Sequence, residues 1–192
     1  MLLTGSHLQQ LPVMSLQTGA EIARLARPVI DPADLRIYGY EVTGPLLDQR
    51  PSFLRLEDIR ELSNMGMIVD SSDEFIAHGD VLIFDKMVAL GFRLLGQHVS
   101  DQQGRRVGKV IDYTIDSAIF TIQQLTVKRP LYKSFNDVEL LIHRDHIVEI
   151  NDHGIIINSD TEPRETSVVE LGGAYINPFR SKTPAPEHID QQ

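Results

Sequence analysis

The chain has 192 residues, no cysteine and no tryptophan, and a formal net charge of −9 from 18 basic and 27 acidic side chains. Without cysteine it has neither a disulfide framework nor thiolate chemistry, which fits a reducing cytoplasm. The negative balance excludes indiscriminate nucleic-acid binding, and no apolar run approaches the roughly 20 residues that cross a bilayer.

In chain order, Pro12 to Leu16 reads as a short opening strand, with Gln17-Thr18-Gly19 as its turn. Ile22 to Ile30 is the second strand, Asp31-Pro32-Ala33-Asp34 a turn signal, and Leu35 to Val42 a half-buried alternating strand. After a loop from Gly44-Pro45 to Pro51, residues Phe53, Leu54, Leu56 and Ile59 lead into a hairpin. Its turn, Ser63-Asn64-Met65-Gly66, ends in the residue that tolerates left-handed backbone. Met67 to Val69 is the return strand, and Val81 to Phe84 is expected to close the unit. Asp85 to Gly91 reads as a short helical connector with Met87, Val88 and Leu90 turned toward the strands. The plan then repeats as His98-Val99, Val107 to Ile115, Ile119 to Val127 and Val138 to Ile142. Lys128 to Asp137 is a loop, and the hairpin from His146 to Ile157 turns at Asn151-Asp152-His153-Gly154. Imperfect alternation around Gly108 and Gln123-Gln124 predicts bulges. Beyond Asp160 the β pattern is lost, and Ser181 to Gln192 reads as a disordered tail.

The repetition keeps a constant register. Residues 19–42 and 104–127 align without a gap at an offset of 85, placing Gly19 on Gly104, Leu25 on Val110, Ile30-Asp31 on Ile115-Asp116 and Ile37 on Ile122. At an offset of 88, Ile59 falls on Ile147, Gly66 on Gly154 and Met67-Ile68-Val69 on Ile155-Ile156-Ile157. Two copies of one β unit therefore account for most of the chain: residues 1–85, residues 86–160, and a tail over 161–192. Units of about 75–85 residues sit near the lower limit for a self-sufficient core, so the two are expected to lean on each other. Charge divides them. Residues 1–85 carry 6 basic and 13 acidic side chains, whereas residues 86–160 carry 9 of each.

Leu94-Leu95-Gly96-Gln97-His98-Val99, followed by Gly104-Arg105-Arg106-Val107-Gly108-Lys109-Val110-Ile111-Asp112, resembles the opening of the PRC-barrel family. Residues 11–85 match it more weakly, with Ala23 and Arg24 where the second copy has Gly108 and Lys109. The resemblance implies two tandem small closed β barrels joined by a short helical connector. It also implies docking onto other proteins rather than a reaction, since one relative is a domain of a ribosome-maturation factor. It transfers no catalytic residues.

The candidate chemistry is sparse. Gly104 to Lys109 lacks the spacing and the following hydroxyl of a phosphate loop, and His143, Asp145 and His146 lack metal-ligand spacing. Asp31 and Asp116 occupy equivalent turns, where aspartate caps backbone amides. Arg105, Arg106 and Lys109 are expected to converge with Lys128, Arg129 and Lys133, and Tyr113, Tyr132 and Phe135 interleave with them. Such basic–aromatic mixing marks a partner-binding or RNA-binding surface. The sequence thus reads as a non-enzymatic interaction module without metal, cofactor or evident small-molecule substrate. It would dock a protein partner or self-associate; the alternative is an accessory protein of RNA metabolism or ribosome maturation.

Overall fold

The computed structural model describes residues 1–158 apart from Leu46, Asn64, 131–138 and Asp152. The expected tail over 161–192 lies outside the described residues. The first strands are β1 (Leu2–Thr4), β2 (Pro12–Ser15), β3 (Glu21–Asp31), β4 (Arg36–Thr43) and β5 (Ser52–Arg55), with a single helical turn, α1 (Gly5–Leu8), after β1. Next come β6 (Glu61–Ser63), β7 (Gly66–Val69), β8 (Phe75–Ala77) and the helix α2 (Leu82–Leu90). The chain continues with β9 (His98–Asp101), β10 (Arg106–Asp116), β11 (Thr121–Lys128), β12 (Glu139–His143), β13 (Ile147–Asn151) and β14 (Gly154–Ile157).

The repeat in sequence is a repeat in pairing. β10 and β11 have the bounds of β3 and β4 moved by 85 residues, and β14 has those of β7 moved by 88. In the first half β2 runs antiparallel to β3 and parallel to β7, with Val13 opposite Met67; in the second, β9 does the same between β10 and β14, with Val99 opposite Ile155. The bulges recur as well. Register shifts at Leu25/Arg27 and Val29/Ile30 match those at Val110/Asp112 and Thr114/Ile115. The second of each pair leaves Tyr38 or Gln123 as the extra residue, so Ile37, Tyr40 and Val42 all turn inward despite their uneven spacing. The irregularity read at Gln123-Gln124 is this bulge.

The two halves do not close into separate barrels. Their strands interlink in one open 14-stranded sheet, ten of them along the path β13-β14-β9-β10-β11-β4-β3-β2-β7-β6, with β1, β12, β5 and β8 paired off it. Two features carry the pairing across. At the joint Arg36 of β4 lies opposite Thr121 of β11; the Ile37 amide donates to the Phe120 carbonyl at 2.9 Å, and the Ile122 amide to the Leu35 carbonyl at 3.0 Å. Moving the donor of the first hydrogen bond forward by 85 residues and its acceptor back by 85 generates the second. Secondly, β1 belongs to the other half: Leu2, Leu3 and Thr4 pair with Asp116, Ile115 and Thr114 of β10. Ser6 then donates its amide and hydroxyl to the Asp112 carboxylate at 3.0 and 2.6 Å. The core is continuous to match, with Leu3, Leu25 and Ile37 in the same buried cluster as Val99, Ile122 and Ile155. Hydrophobic pattern alone does not decide closure, because it fixes which face is buried and leaves strand edges undetermined.

Asp31 and Asp116 act as turn caps, accepting the Ala33 and Ala118 amides at 2.8 and 3.0 Å. Val81 to Phe84 does not form the expected closing strand, because the helix begins at Leu82. Val81, Phe84, Met87 and Val88 recur at helical spacing, and all four join a small cluster with Val29 and Phe53. The Phe84 ring meets that of Phe53 edge-on, with centroids 5.2 Å apart. Gly91, at φ 60°, caps the helix. Leu90 is exposed, so α2 packs on the first half by Phe84, Met87 and Val88 and not by the full set expected. Among the described residues, no helix is long and apolar enough to cross a membrane.

Among the described residues one core side chain is unsatisfied. The Tyr40 hydroxyl is buried without a hydrogen-bond partner. Burial, and after it the neighbouring Tyr113, push its pKa well above the ordinary tyrosine value. Removing an unpaired buried hydroxyl recovers its desolvation cost, so Tyr40→Phe is expected to raise stability by about 1 kcal/mol in urea denaturation. A group whose pKa is raised in the fold supports stability below its unfolded value and loses that support above it. Stability should therefore fall as pH rises past about 10. Tyr40→Phe should make this fall shallower.

Candidate functional site

The basic residues singled out in the sequence are partly brought together. Lys109 of β10 and Lys128 of β11 are direct cross-strand partners on the exposed face. His98 flanks Lys109 across β9, and Glu139 flanks Lys128 across β12, giving an exposed row of four polar residues. Like charges set opposite each other repel, so this pair works against the fold. Arg129 follows Lys128, and Arg106 lies opposite Ser100. Arg105 is committed locally, its Nε sitting 2.6 Å from Oδ2 of the buried Asp101. Tyr132, Lys133 and Phe135 lie outside the described residues. Among the described residues no three His, Asp or Glu side chains gather as a cation site, and His143 Nδ1 lies 3.2 Å from Asp145 Oδ2.

Asp101 organises the turn before β10. Its Oδ1 accepts the Gln103 and Arg105 amides at 2.9 and 2.8 Å. Burial pushes its carboxyl up, but these amides and the Arg105 guanidinium outweigh burial and hold it below the usual carboxylate range. Asp101→Asn is expected to lower Tm at neutral pH. Because the folded pKa is depressed, that difference should shrink as pH falls from about 4, where the unfolded carboxylate protonates, through the lower folded value, where the native one protonates too. Thermal melts at pH 7 and pH 3 would test this.

A second feature emerged only in three dimensions. After Gly91 the chain passes the second half of β3 through Phe92, Arg93, Leu94 and Leu95, leaving a groove between this segment and the strand. Its wider part, about 310 Å³, is lined by Arg27, Pro28, Ile30, Phe92, Arg93, Leu94, Leu95 and Tyr113. Its narrower end, about 110 Å³, runs under Met87 and Val88 of α2 toward Phe53. The wider part is mainly apolar and the narrower end more polar; among the described residues both charged members of the lining are arginines, and no carboxylate joins them. Arg27 pairs with Glu41 on the neighbouring strand, whereas Arg93 makes no hydrogen bond or ion pair among the described residues. Sequence reasoning missed the groove because its walls, residues 27–30, 92–95 and Tyr113, are far apart in the chain. The available signal was Pro28, which lacks an amide proton and so marks a strand edge.

Other hollows are built from loops. One of about 170 Å³ is lined by Asp48, Asp73 and Asp80, but Asp80 already accepts the Ala77 amide at 2.7 Å. Another, of about 410 Å³, lies along Gly44 to Pro51.

Comparison with known protein families and with curated proteins finds no match to this chain. The resemblance to the PRC-barrel family is corrected accordingly: no family match supports it, and the open sheet is not a pair of closed barrels. The motif from Leu94 to Asp112 is an opening strand, a glycine turn and a long bulged strand, local features that do not require a barrel.

Proposed function

We propose that this protein is a docking module that binds another protein, without chemistry of its own, through the groove beside β3. The supporting observation is the groove itself: a largely apolar hollow next to a strand edge that no described strand pairs, with Arg93 unengaged among the described residues at its rim. Leu82, Ile83, Leu90 and Leu95 are exposed in α2 and just beyond it, extending the apolar surface around the groove. On our reading this binding takes place in the cytoplasm, with which a chain without cysteine is compatible. Tagged protein and a Phe92→Ala, Leu95→Ser variant should be compared by capture from nuclease-treated lysate, with folding checked by melting. The module reading expects a partner that the variant loses while staying folded. Identical capture by both proteins would remove the groove as the docking surface, and concentration-dependent sedimentation would make the partner a second copy.

A second reading, RNA contact as part of RNA metabolism or ribosome maturation, is favoured by the Lys109–Lys128 pair. Two facing lysines repel, and an anionic backbone laid across them would relieve that repulsion. On this reading Lys109→Glu stabilises the free protein by about 0.5 kcal/mol and abolishes salt-steep binding to a single-stranded RNA probe. An affinity that does not change between low and physiological salt would eliminate it.

A further inference from the structure

We infer that the groove receives an extended acidic–apolar segment of a partner protein, which adds as a strand to the Val29–Asp31 edge of β3 with a carboxylate on Arg93. This deepens the docking reading above and rests on it.

The chain contains its own template. Moving β10 back by 85 residues gives β3, so Thr114, Ile115 and Asp116 correspond to Val29, Ile30 and Asp31. In the second half that edge is paired by Leu2, Leu3 and Thr4, with Leu3 buried between its two outward neighbours. In the first half no described strand pairs with the edge. The leader of the second copy reaches this place as the last turn of α2, and a helix satisfies its own backbone groups without sharing them with a neighbouring strand. The last turn of α2 packs on Val29 through Met87 and Val88, and the groove is the space left between β3 and the Gly91–Leu95 segment. Strand addition fits this geometry, because an open edge supplies main-chain hydrogen bonds and the apolar floor takes the inward side chains.

Charge selects the guest. In the template, the residue after β1 and the start of α1, Ser6, donates to Asp112. The position equivalent to Asp112 in β3 is Arg27, so the acceptor has been replaced by a cation. His7, one residue later, corresponds to Arg93 at the offset of 86 that relates β2 to β9. A guest following the path of β1 therefore meets two guanidiniums where β1 meets one carboxylate. Arg27 is occupied by Glu41, which leaves Arg93 to bind the incoming carboxylate. The N-terminal strand of a second copy, Leu2-Leu3-Thr4, carries no acid and does not meet this requirement.

The test uses the full chain and two fluorescent octapeptides, one alternating valine with glutamate and one alternating valine with lysine. The glutamate peptide should bind with an affinity that Arg93→Glu weakens about tenfold, while Lys109→Glu on the other half leaves it unchanged. The lysine peptide should not bind. Amide exchange at Val29 to Asp31 should slow when the glutamate peptide is added, the signature of strand pairing and not of side-chain contact alone. Equal binding of both peptides, or binding indifferent to Arg93→Glu, overturns the acidic assignment. Binding without exchange protection overturns strand addition. In either case, loss of partner capture by the Phe92→Ala, Leu95→Ser variant would leave the docking reading standing. Arg93 is exposed, so its replacement tests the contact without disturbing the core.

Discussion

A chain lacking residues 1–7 should lose about 3–5 kcal/mol of stability, on the order of 10 °C in Tm, and the damage should fall in the opposite half. The deletion removes Leu3 from the core, the three paired residues of β1, and the two Ser6 hydrogen bonds to Asp112. It also removes Gly5, whose backbone lies so close to Tyr113 that an added Cβ would come within 2.5 Å of the ring. Amide exchange should accelerate at Thr114 to Asp116, while Val13 and Met67 at the β2–β7 pairing keep their protection. An unchanged Tm with unchanged exchange in β10 would mean that β1 is not part of the sheet. Leu3→Ala separates packing from pairing and should cost about 2 kcal/mol alone.

The second large effect is expected at Gly154. Here the chain enters β14 at φ 133°, and an added Cβ would stand 2.3 Å from the His98 carbonyl oxygen. The conformation excludes other residues and the contact is with backbone, which cannot rotate away. Gly154→Ala should therefore cost about 3 kcal/mol or more. The first half has the same close approach, Gly66 facing the Pro12 carbonyl at 2.7 Å. Gly19 provides the control. It also has positive φ, 65°, but nothing lies within 4 Å of its missing Cβ, so Gly19→Ala should cost only about 1 kcal/mol. Equal losses at Gly154 and Gly19 in chemical denaturation would show that the β9–β14 contact is looser than described.

Much of the strand layout was legible because the same apolar spacing occurs twice. Each copy checks the other: the run from Ile22 to Ile30 could be placed because Val107 to Ile115 has its glycine turn and its aspartate in the same register. Bulges were visible as faults in alternation, as at Gln123. What escaped was set by edges and by contacts distant in sequence. Leu2-Leu3-Thr4 is too short to show a period, and its partner strand lies more than 100 residues away. The start of α2 was missed because Val81 to Phe84 is apolar at every position, which fits a strand as well as a helix; only the later Met87 and Val88 settle the period. The approach of Lys109 to Lys128 could be anticipated from the hairpin they share, whereas the capture of Arg105 by Asp101 depends on the fold of the preceding turn. The groove depended on Arg93 and Tyr113 arriving beside Pro28, which no local pattern encodes.

The joint between β4 and β11 has a historical consequence. Its two hydrogen bonds exchange under the 85-residue step, which is the contact two identical chains would make across a dyad. A single ancestral copy could have met its twin through this surface, each lending the other its leading segment. Within one chain that encounter is intramolecular and independent of concentration, so the two copies need not stay alike. The second half holds a strand lent by the first and carries a lysine pair. The first half has a helix in the corresponding place, and no described strand covers the edge beside it.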